Sequence, residues 1–230
     1  MRMISTPVTI DAGNALLAGE LSLAPGTRQL AVFIHGSDST RMSPRNRRIA
    51  EALQERGIGT LLFDLRTDEE LDANEPLQFD LDLLAERVTG VLRWLAAKEV
   101  MRDVRIGISS EGTGAAVALV AAAKARDLVG AVVARAGRSE LAGDALQVVQ
   151  APALLIVGGS DREALSDNRR TLARLACPRA LHVVEGAGRL FDERGALADV
   201  IEVTAHWLSG QLAARPQAWP VGAGSARSQR

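Results

Sequence analysis

Polar residues and glycines follow several short apolar runs of this chain, at the points where strands would end. His35 to Ser37 come after LAVFI, Ser109 and Ser110 end the run VRIGISS, and Asp161 follows LLIVGGS. A hydroxyl, a carboxylate and an imidazole are the groups that nucleophilic acyl transfer uses, and small residues let backbone N–H groups approach a ligand. These residue types therefore indicate a catalytic or binding site, provided that the fold gathers the strand ends.

Apolar runs of strand length alternate with stretches of helical periodicity. The runs are LAVFIHGS, GTLLFDL, VRIGISS, GAVVARAG, PALLIVGGSD and ALHVVEGAG. Ser43 before Pro44 is a helix start signal and Gly57 a stop signal, and helical apolar spacing recurs over residues 81–95, 113–125 and 197–208. Such βαβα alternation predicts a mainly parallel sheet with helices on both faces and a ligand crevice at the carboxyl ends of the strands.

The two ends of the chain differ from this alternating pattern. VTI and LLAGELSLA flank turn residues 11–14 and predict an antiparallel hairpin at the sheet edge. We expect one domain over residues 1–212. Residues 213–230 collect Pro, Gly and Ser without periodicity, which is typical of a disordered tail.

The composition excludes several functional classes. Twenty-seven basic and 28 acidic residues give a net charge of −1, so no overall field favours nucleic acid or an anionic membrane. Only 3% of the residues are aromatic and none is Tyr, which argues against base stacking. A single cysteine, the lack of an apolar leader and the lack of a long apolar run predict a cytoplasmic protein without disulfides or membrane spans.

We also expect no cofactor and no metal. GISSEGT lacks the lysine of a phosphate-binding loop, and HGSDST stands where a dinucleotide-binding fold has its glycine fingerprint. No Cys or His pair has the spacing of metal ligands.

Longer segments carry a resemblance to a known family. FIHGSDSTRMSPRNRRIAEAL, LLFDLRT, FDLDLLAERV, GTGAA, ARAGRSELAGDAL, APALLIVGGSD and EGAGRLFDERGAL occur in order along the chain. Their order and spacing resemble the dienelactone-hydrolase-like branch of the α/β-hydrolases, up to about Leu212. The resemblance implies an α/β-hydrolase fold without a lid domain.

The resemblance also implies that two of three catalytic positions are substituted. The family places a Ser nucleophile in a Gly-x-Ser-x-Gly turn, and the matching stretch, residues 110–114, has Gly112 at that position. Asp161 matches the acid. Arg189 matches the His base, and arginine stays protonated, so it cannot act as a general base.

A shifted nucleophile is the alternative. Ser110 or Ser109 could replace the missing serine, which would make the chain an active carboxylic-ester hydrolase. No replacement base is evident, because His35 belongs to the loop after the first core strand, His182 lies in an apolar strand and His206 is on the solvated face of the last helix. Cys177 is expected to be a small buried hydrophobe.

The leading hypothesis is a non-catalytic protein that binds a small carboxylate or phosphate, or a protein partner. His35, Gly36, Ser37 and Thr113 match the oxyanion region, where the backbone N–H groups of Ser37 and Thr113 would hold negative charge. Cations after the core strands could assist: Arg66, Arg135, Arg138 and Arg189. Arg135 and Arg138 also match positions of the family, so an internal structural role is the alternative for them.

Two expectations concern acidic residues of this site. We expect Arg189 to form an ion pair with Asp161, because a buried carboxylate needs a partner. Glu111 would oppose an anion unless its side chain turns outward.

Overall fold

The computed structural model describes residues 2–36, 39–72 and 80–213. Eight strands are present in this part of the chain. They are β1 (Ile4–Asp11), β2 (Leu16–Leu23), β3 (Gln29–Ile34), β4 (Gly59–Phe63), β5 (Arg105–Glu111), β6 (Ala131–Arg135), β7 (Ala153–Gly158) and β8 (Arg179–Val184). They form one sheet in the order β1-β2-β4-β3-β5-β6-β7-β8.

The helices lie between and after these strands. They are α1 (Pro44–Glu55), α2 (Asp68–Asp72), α3 (Leu81–Ala96), α4 (Gly114–Lys124), α5 (Arg162–Arg174) and α6 (Ala196–Gln211). Two 3₁₀ segments, Glu99–Met101 and Ser139–Gln147, connect them, and the second is kinked at Gly143. The predicted tail lies outside the described residues except for its first residue.

The strand directions follow the predicted pattern. β1 and β2 form an antiparallel hairpin, β2 also pairs antiparallel with β4, and every other pairing, from β4 to β8, is parallel. The α/β-hydrolase type of sheet and its N-terminal hairpin are confirmed. The parallel strands all point their carboxyl ends toward one edge of the sheet, which is where ligands bind in such folds.

Apolar burial on both faces explains why the parallel strands read as continuous apolar runs. One core lies between the sheet and helices α3 and α4, and the other lies between the sheet and helices α1 and α6. Strands β4, β6 and β7 are buried at every position. The sheet is thus a rigid base for the loops that follow its strands.

Helix α1 begins as its sequence predicts. The Ser43 hydroxyl accepts a hydrogen bond from the Asn46 backbone N–H at 3.4 Å, and Pro44 is the first helical residue. This cap sets the rotation of the helix so that the Asn46 side chain is buried. The position of Asn46 matters for the site described below.

The described residues include neither a membrane-spanning helix nor a metal-binding cluster. Within residues 2–36, 39–72 and 80–213, no helix combines the length and apolar character that a bilayer span requires. The same ranges contain no cluster of three or more His, Cys, Asp or Glu side chains that could hold a metal ion.

Candidate functional site

An open crevice of about 800 Å³ lies at the carboxyl ends of the parallel strands. Its walls come from the connection after β3, the start of α1, the turn between β5 and α4, the end of β6 and the loop between β8 and α6. The predicted crevice is therefore present. Four separate segments of the chain build it, because the connection after β3 continues directly into the start of α1.

The structure brings some of the predicted site residues into this crevice and leaves others outside. Those that line it are Gly36, Gly112, Thr113, Arg135 and Arg189. The predicted site residues that are described but do not line the crevice are His35, Ser109, Ser110, Arg138 and Asp161. Ser37 lies outside the described residues.

Gly112 occupies the tight turn between β5 and α4. Its φ of +54° is in the left-handed region, which glycine adopts without strain. Its N–H donates to the Arg135 carbonyl at 3.2 Å, and its carbonyl accepts from the Arg138 N–H at 2.9 Å. Hydrogen bonds from the neighbouring strand end therefore hold this backbone in place without any side chain at position 112.

The space around Gly112 would admit a side chain. Among the described residues, a Cβ atom at this position would meet only the Cα of Gly36, at 3.6 Å, which is an ordinary van der Waals distance. Gly114 differs, because a Cβ there would collide with the backbone carbonyl of His35. The turn thus requires glycine at 114 for packing, whereas the glycine at 112 leaves the crevice without a side chain at its base.

The two serines proposed as substitutes are buried in the sheet. The Ser110 hydroxyl donates to the Val133 carbonyl of the adjacent strand at 2.9 Å, and both Ser109 and Ser110 are shielded from solvent. Neither serine is thus exposed to the crevice, and the alternative of a shifted nucleophile gains no support from their burial. Strand alternation left open which way each side chain points, and the packing of β6 and the helices buries both.

The expected ion pair between Asp161 and Arg189 is absent. Asp161 caps helix α5, where its Oδ1 accepts from the Ala164 N–H at 3.1 Å, and it is half-buried. Arg189 is exposed at the crevice and has no ion-pair partner within 4 Å among the described residues. The expectation failed because the helix cap satisfies the carboxylate locally, so no buried charge requires a guanidinium.

Arg135 belongs to a buried network at the base of the crevice. Its guanidinium donates to Glu111 Oε2 at 2.5 Å and to Asn46 Oδ1 at 2.7 Å, and Asn46 Nδ2 donates to Glu111 Oε1 at 2.8 Å. Arg135 is only 3% exposed. The charge of Arg135 is thus balanced inside the protein. This pairing favours a structural role for Arg135 over direct binding of an anion.

Glu111 is ionised in this network. Burial by itself would raise the pKa of its carboxyl group, but the Arg135 charge and hydrogen bonds from Arg135, Ser39 and Asn46 together lower that pKa below its usual value. The Glu111 carboxylate pairs with Arg135, so the arginine neutralises most of the repulsion that Glu111 would exert on a bound anion. The part that Asn46 plays in this network could not be predicted from the sequence, because an Asn in the first turn of a helix is an ordinary surface residue.

Arg138 points away from the crevice. Its side chain is exposed and its Nε donates to Glu140 at 2.6 Å, and it does not line the crevice. Arg66 lines a separate small pocket with His35 behind the turn.

The histidines have structural positions. His35 is buried, with Nδ1 at 2.8 Å from the Gly36 carbonyl and Nε2 accepting from the Leu65 N–H at 3.2 Å. Burial lowers the pKa of His35, which keeps it neutral as a link between two strand ends. His182 pairs with Asp199 at 2.9 Å and His206 is exposed, so no histidine among the described residues lines the crevice.

Two non-glycine residues in the crevice have left-handed backbone conformations. Ala136 has a φ of +44° and Phe191 a φ of +55°, and in the described ranges no other residue with a side chain has a positive φ. Each such residue costs about 1–3 kcal/mol and persists only where the surrounding structure imposes it. Strain of this kind is common at active and ligand-binding sites, and both residues line the crevice.

Comparison with known proteins agrees with this architecture, although no family model matches the sequence. The structure of a dienelactone hydrolase from Anabaena variabilis is 40% identical, with a TM-score of 0.87 over 90% of this chain and 97% of that one. This chain belongs to the dienelactone hydrolase family. A dienelactone hydrolase-like promiscuous phosphotriesterase from metagenomic libraries shares the fold at 17% identity, with a TM-score of 0.74 over 92% of this chain and 99% of that one.

Two Mycobacterium tuberculosis proteins with the provisional name phosphoribosyl transferase are 45% identical over 205 residues. The match covers 89% of this chain but only 46% of theirs, so the chain spans about half the length of these curated relatives. Their name describes whole proteins, and more than half of each lies outside the region that resembles a dienelactone hydrolase.

A substitution at Gly114 tests the packing of the turn in this family member. We expect Gly114→Ala to lower the free energy of unfolding by about 2 kcal/mol or more, because the methyl group meets the His35 carbonyl and the backbone must move. Gly210→Ala is the matched control, since a Cβ there meets nothing within 4 Å inside α6. Urea denaturation measures both, and equal effects of the two variants would contradict this account of the turn.

Proposed function

We propose that this dienelactone hydrolase family member does not hydrolyse esters and instead binds a small anion, a carboxylate or a phosphate, in its crevice. The observation that carries the proposal is the turn at Gly112. Its backbone is held in the left-handed conformation at the base of the crevice, yet it offers no nucleophilic atom, and the nearby serines face into the sheet. Gly112 and Arg189 then stand where active relatives have a nucleophile and a base.

The charges around the crevice favour an anion. Two cations that line it are matched by carboxylates: Arg135 by Glu111, and Arg45 by Asp192 at 3.1 Å. Arg189 has no such carboxylate among the described residues and leaves one positive charge at the wall. Thr113 begins the turn into α4, where the helix dipole adds a partial positive charge.

The two substitutions act together in this proposal. A serine side chain at position 112 would occupy part of the space that one oxygen of a bound carboxylate needs, and a neutral histidine at position 189 would supply less attraction than a guanidinium. With glycine instead of serine at 112 and arginine instead of histidine at 189, a site that stabilises a transient oxyanion becomes a site that binds a stable anion. The backbone groups of Gly36 and Thr113 remain at the crevice in either case.

Hydrolysis is tested with p-nitrophenyl acetate and a fluorophosphonate probe. We expect no turnover above a surface-nucleophile control and no covalent label in the peptide that spans residues 109–113, read by mass spectrometry. Without nucleophile and base, only oxyanion stabilisation and binding remain. Stoichiometric labelling of Ser110 that disappears in Ser110→Ala would overturn the proposal.

Anion binding is tested by NMR titration with acetate and phosphate. We expect the amide signals of Gly36 and Thr113 to move with a dissociation constant between millimolar and high micromolar, or about 4–6 kcal/mol. Arg189→Gln should weaken binding about fivefold, as loss of an exposed ion pair of about 1 kcal/mol predicts. Arg138→Gln is the matched control, and shifts confined to amides far from the crevice would contradict an anion site.

A second candidate is a non-catalytic partner of another protein unit. The length of the mycobacterial relatives favours it, because their hydrolase-like region is joined to a second region that the transferase name could describe. Sedimentation velocity of this chain mixed with that second region, expressed separately, tests the association. A single faster-sedimenting species supports this candidate, and two independent boundaries exclude it.

A further inference from the structure

Two large apolar side chains are exposed at the mouth of the crevice. Met42, before α1, is 57% exposed, and Leu190, in the loop between β8 and α6, is 53% exposed, and both line the cavity. They belong to segments that are far apart in the sequence but line one crevice. Exposed apolar side chains that share a cavity wall provide surface for an apolar ligand.

The inner wall continues the apolar surface. Pro44, Ala136 and Phe191 line the same crevice, and the last two hold the left-handed conformations described above. Pro44 and Ala136 are at least partly exposed there, whereas the Phe191 side chain packs into the core beneath the wall. The crevice thus combines an apolar lining with a polar base.

The charges limit the ligand to one negative group. Arg189 is the one lining cation without a carboxylate partner in the described part of the chain. A second negative charge would find no further unmatched cation among the described residues that line the crevice, and it would lie near the Glu111 carboxylate. Charge complementarity therefore favours a monoanion over a dianion such as succinate or phosphate.

We propose that the crevice selects monocarboxylates with an apolar body, aliphatic or aromatic, over small or doubly charged anions. This rests on the proposed anion-binding function and adds the ligand class. The carboxylate lies at the Gly112 turn with Arg189 beside it, and the apolar body extends along Pro44 and Ala136 toward Met42 and Leu190.

The test compares acetate, hexanoate, phenylacetate, succinate and phosphate by NMR titration of the full chain, with the Gly36 and Thr113 amides as the readout. Full burial of one methylene would strengthen binding about fourfold. Because the crevice is open, we expect about a tenfold gain from acetate to hexanoate in total. Succinate and phosphate should bind no more tightly than acetate.

Surface variants locate the effect. Met42→Ser and Leu190→Ser should each remove about a two- to threefold part of the gain for hexanoate while the acetate affinity stays the same. Val100→Ser is the matched control, because Val100 is 66% exposed and lies outside the crevice lining. It should change neither affinity.

The outcomes separate this inference from the proposed function. If acetate and hexanoate bind at Gly36 and Thr113 with equal affinity, or if succinate or phosphate binds best, the selectivity is wrong and anion binding stands. If none of the five anions moves these amides, the proposed function fails as well. If hexanoate binds better but Met42→Ser, Leu190→Ser and Val100→Ser behave alike, the apolar contact lies elsewhere and the inference is overturned.

Discussion

The double variant Gly112→Ser/Arg189→His is expected to hydrolyse p-nitrophenyl acetate about 10²-fold faster than the unmodified chain. Backbone hydrogen bonds hold the turn, because the Gly112 N–H donates to the Arg135 carbonyl and the Arg138 N–H donates to the Gly112 carbonyl. A serine at 112 must adopt the left-handed φ of +54°, which is strained for a residue with a side chain, so these bonds have to impose that conformation. A Cβ at that position has room. A positioned general base contributes about 10²–10⁴-fold in enzymes, and the lower end of that range suits a site restored by two changes.

We expect Asp161 to orient the introduced histidine. The cap of α5 uses its Oδ1, and Oδ2 has no hydrogen bond among the described residues that would compete with an imidazole. A carboxylate in that role orients the ring and stabilises its charged form. Gly112→Ser/Arg189→His/Asp161→Asn should accordingly lose most of the gain.

Single variants are the controls for this experiment. Gly112→Ala adds a Cβ without a nucleophile, and Arg189→His adds a base without a nucleophile, so neither should gain activity. The labelled residue is identified with a fluorophosphonate, which should react with the new serine in the double variant. A folded double variant with neither label nor turnover would show that the turn does not present residue 112 as a nucleophile requires.

Arg135→Met is expected to lower the free energy of unfolding by about 3–5 kcal/mol, which is the usual cost of removing one partner of a buried ion pair. The variant leaves the Glu111 carboxylate buried beside Asn46 without its cation. Equilibrium unfolding in urea measures the loss. Arg138→Met is the matched control, because that arginine is exposed and its pair with Glu140 should contribute about 1 kcal/mol or less.

A second substitution tests the cause. Adding Glu111→Gln to Arg135→Met removes the unpaired charge, and the double variant should recover part of the lost stability. If Arg135→Met costs no more than Arg138→Met, the network does not stabilise the base of the crevice.

The pH dependence of the same pair has a definite sign. The folded protein lowers the pKa of Glu111 below its ordinary value of 4.5, so the carboxylate stabilises the fold fully above that value. The contribution is lost as the pH falls through the lower, folded-state pKa. The stability difference between the unmodified chain and Glu111→Gln should therefore be larger at pH 7 than in acid below the folded-state pKa.

Local sequence was sufficient for most of the scaffold. Continuous apolar runs such as LLIVG can only be strands buried on both faces, and their alternation with helical stripes requires parallel pairing. The short helix α2 and helix α5 were not predicted. No apolar stripe marks α5, and its buried residues are Asn168 and Thr171. Periodicity of apolar residues cannot detect a helix that buries polar groups.

The chemistry at the turn was likewise determined by the sequence alone. A glycine at 112 and an arginine at 189 lack the atoms for nucleophilic attack and general-base catalysis in any conformation. What only the tertiary structure decided was which charged and polar groups meet. The Asp161 carboxylate caps its own helix, and the Ser110 hydroxyl donates to the Val133 carbonyl. Arg135 pairs with Glu111 and Asn46, which lie far from it in the sequence. Hydrogen bonds and ion pairs depend on distances of a few ångströms between segments remote in sequence, and the packing of strands and helices sets those distances.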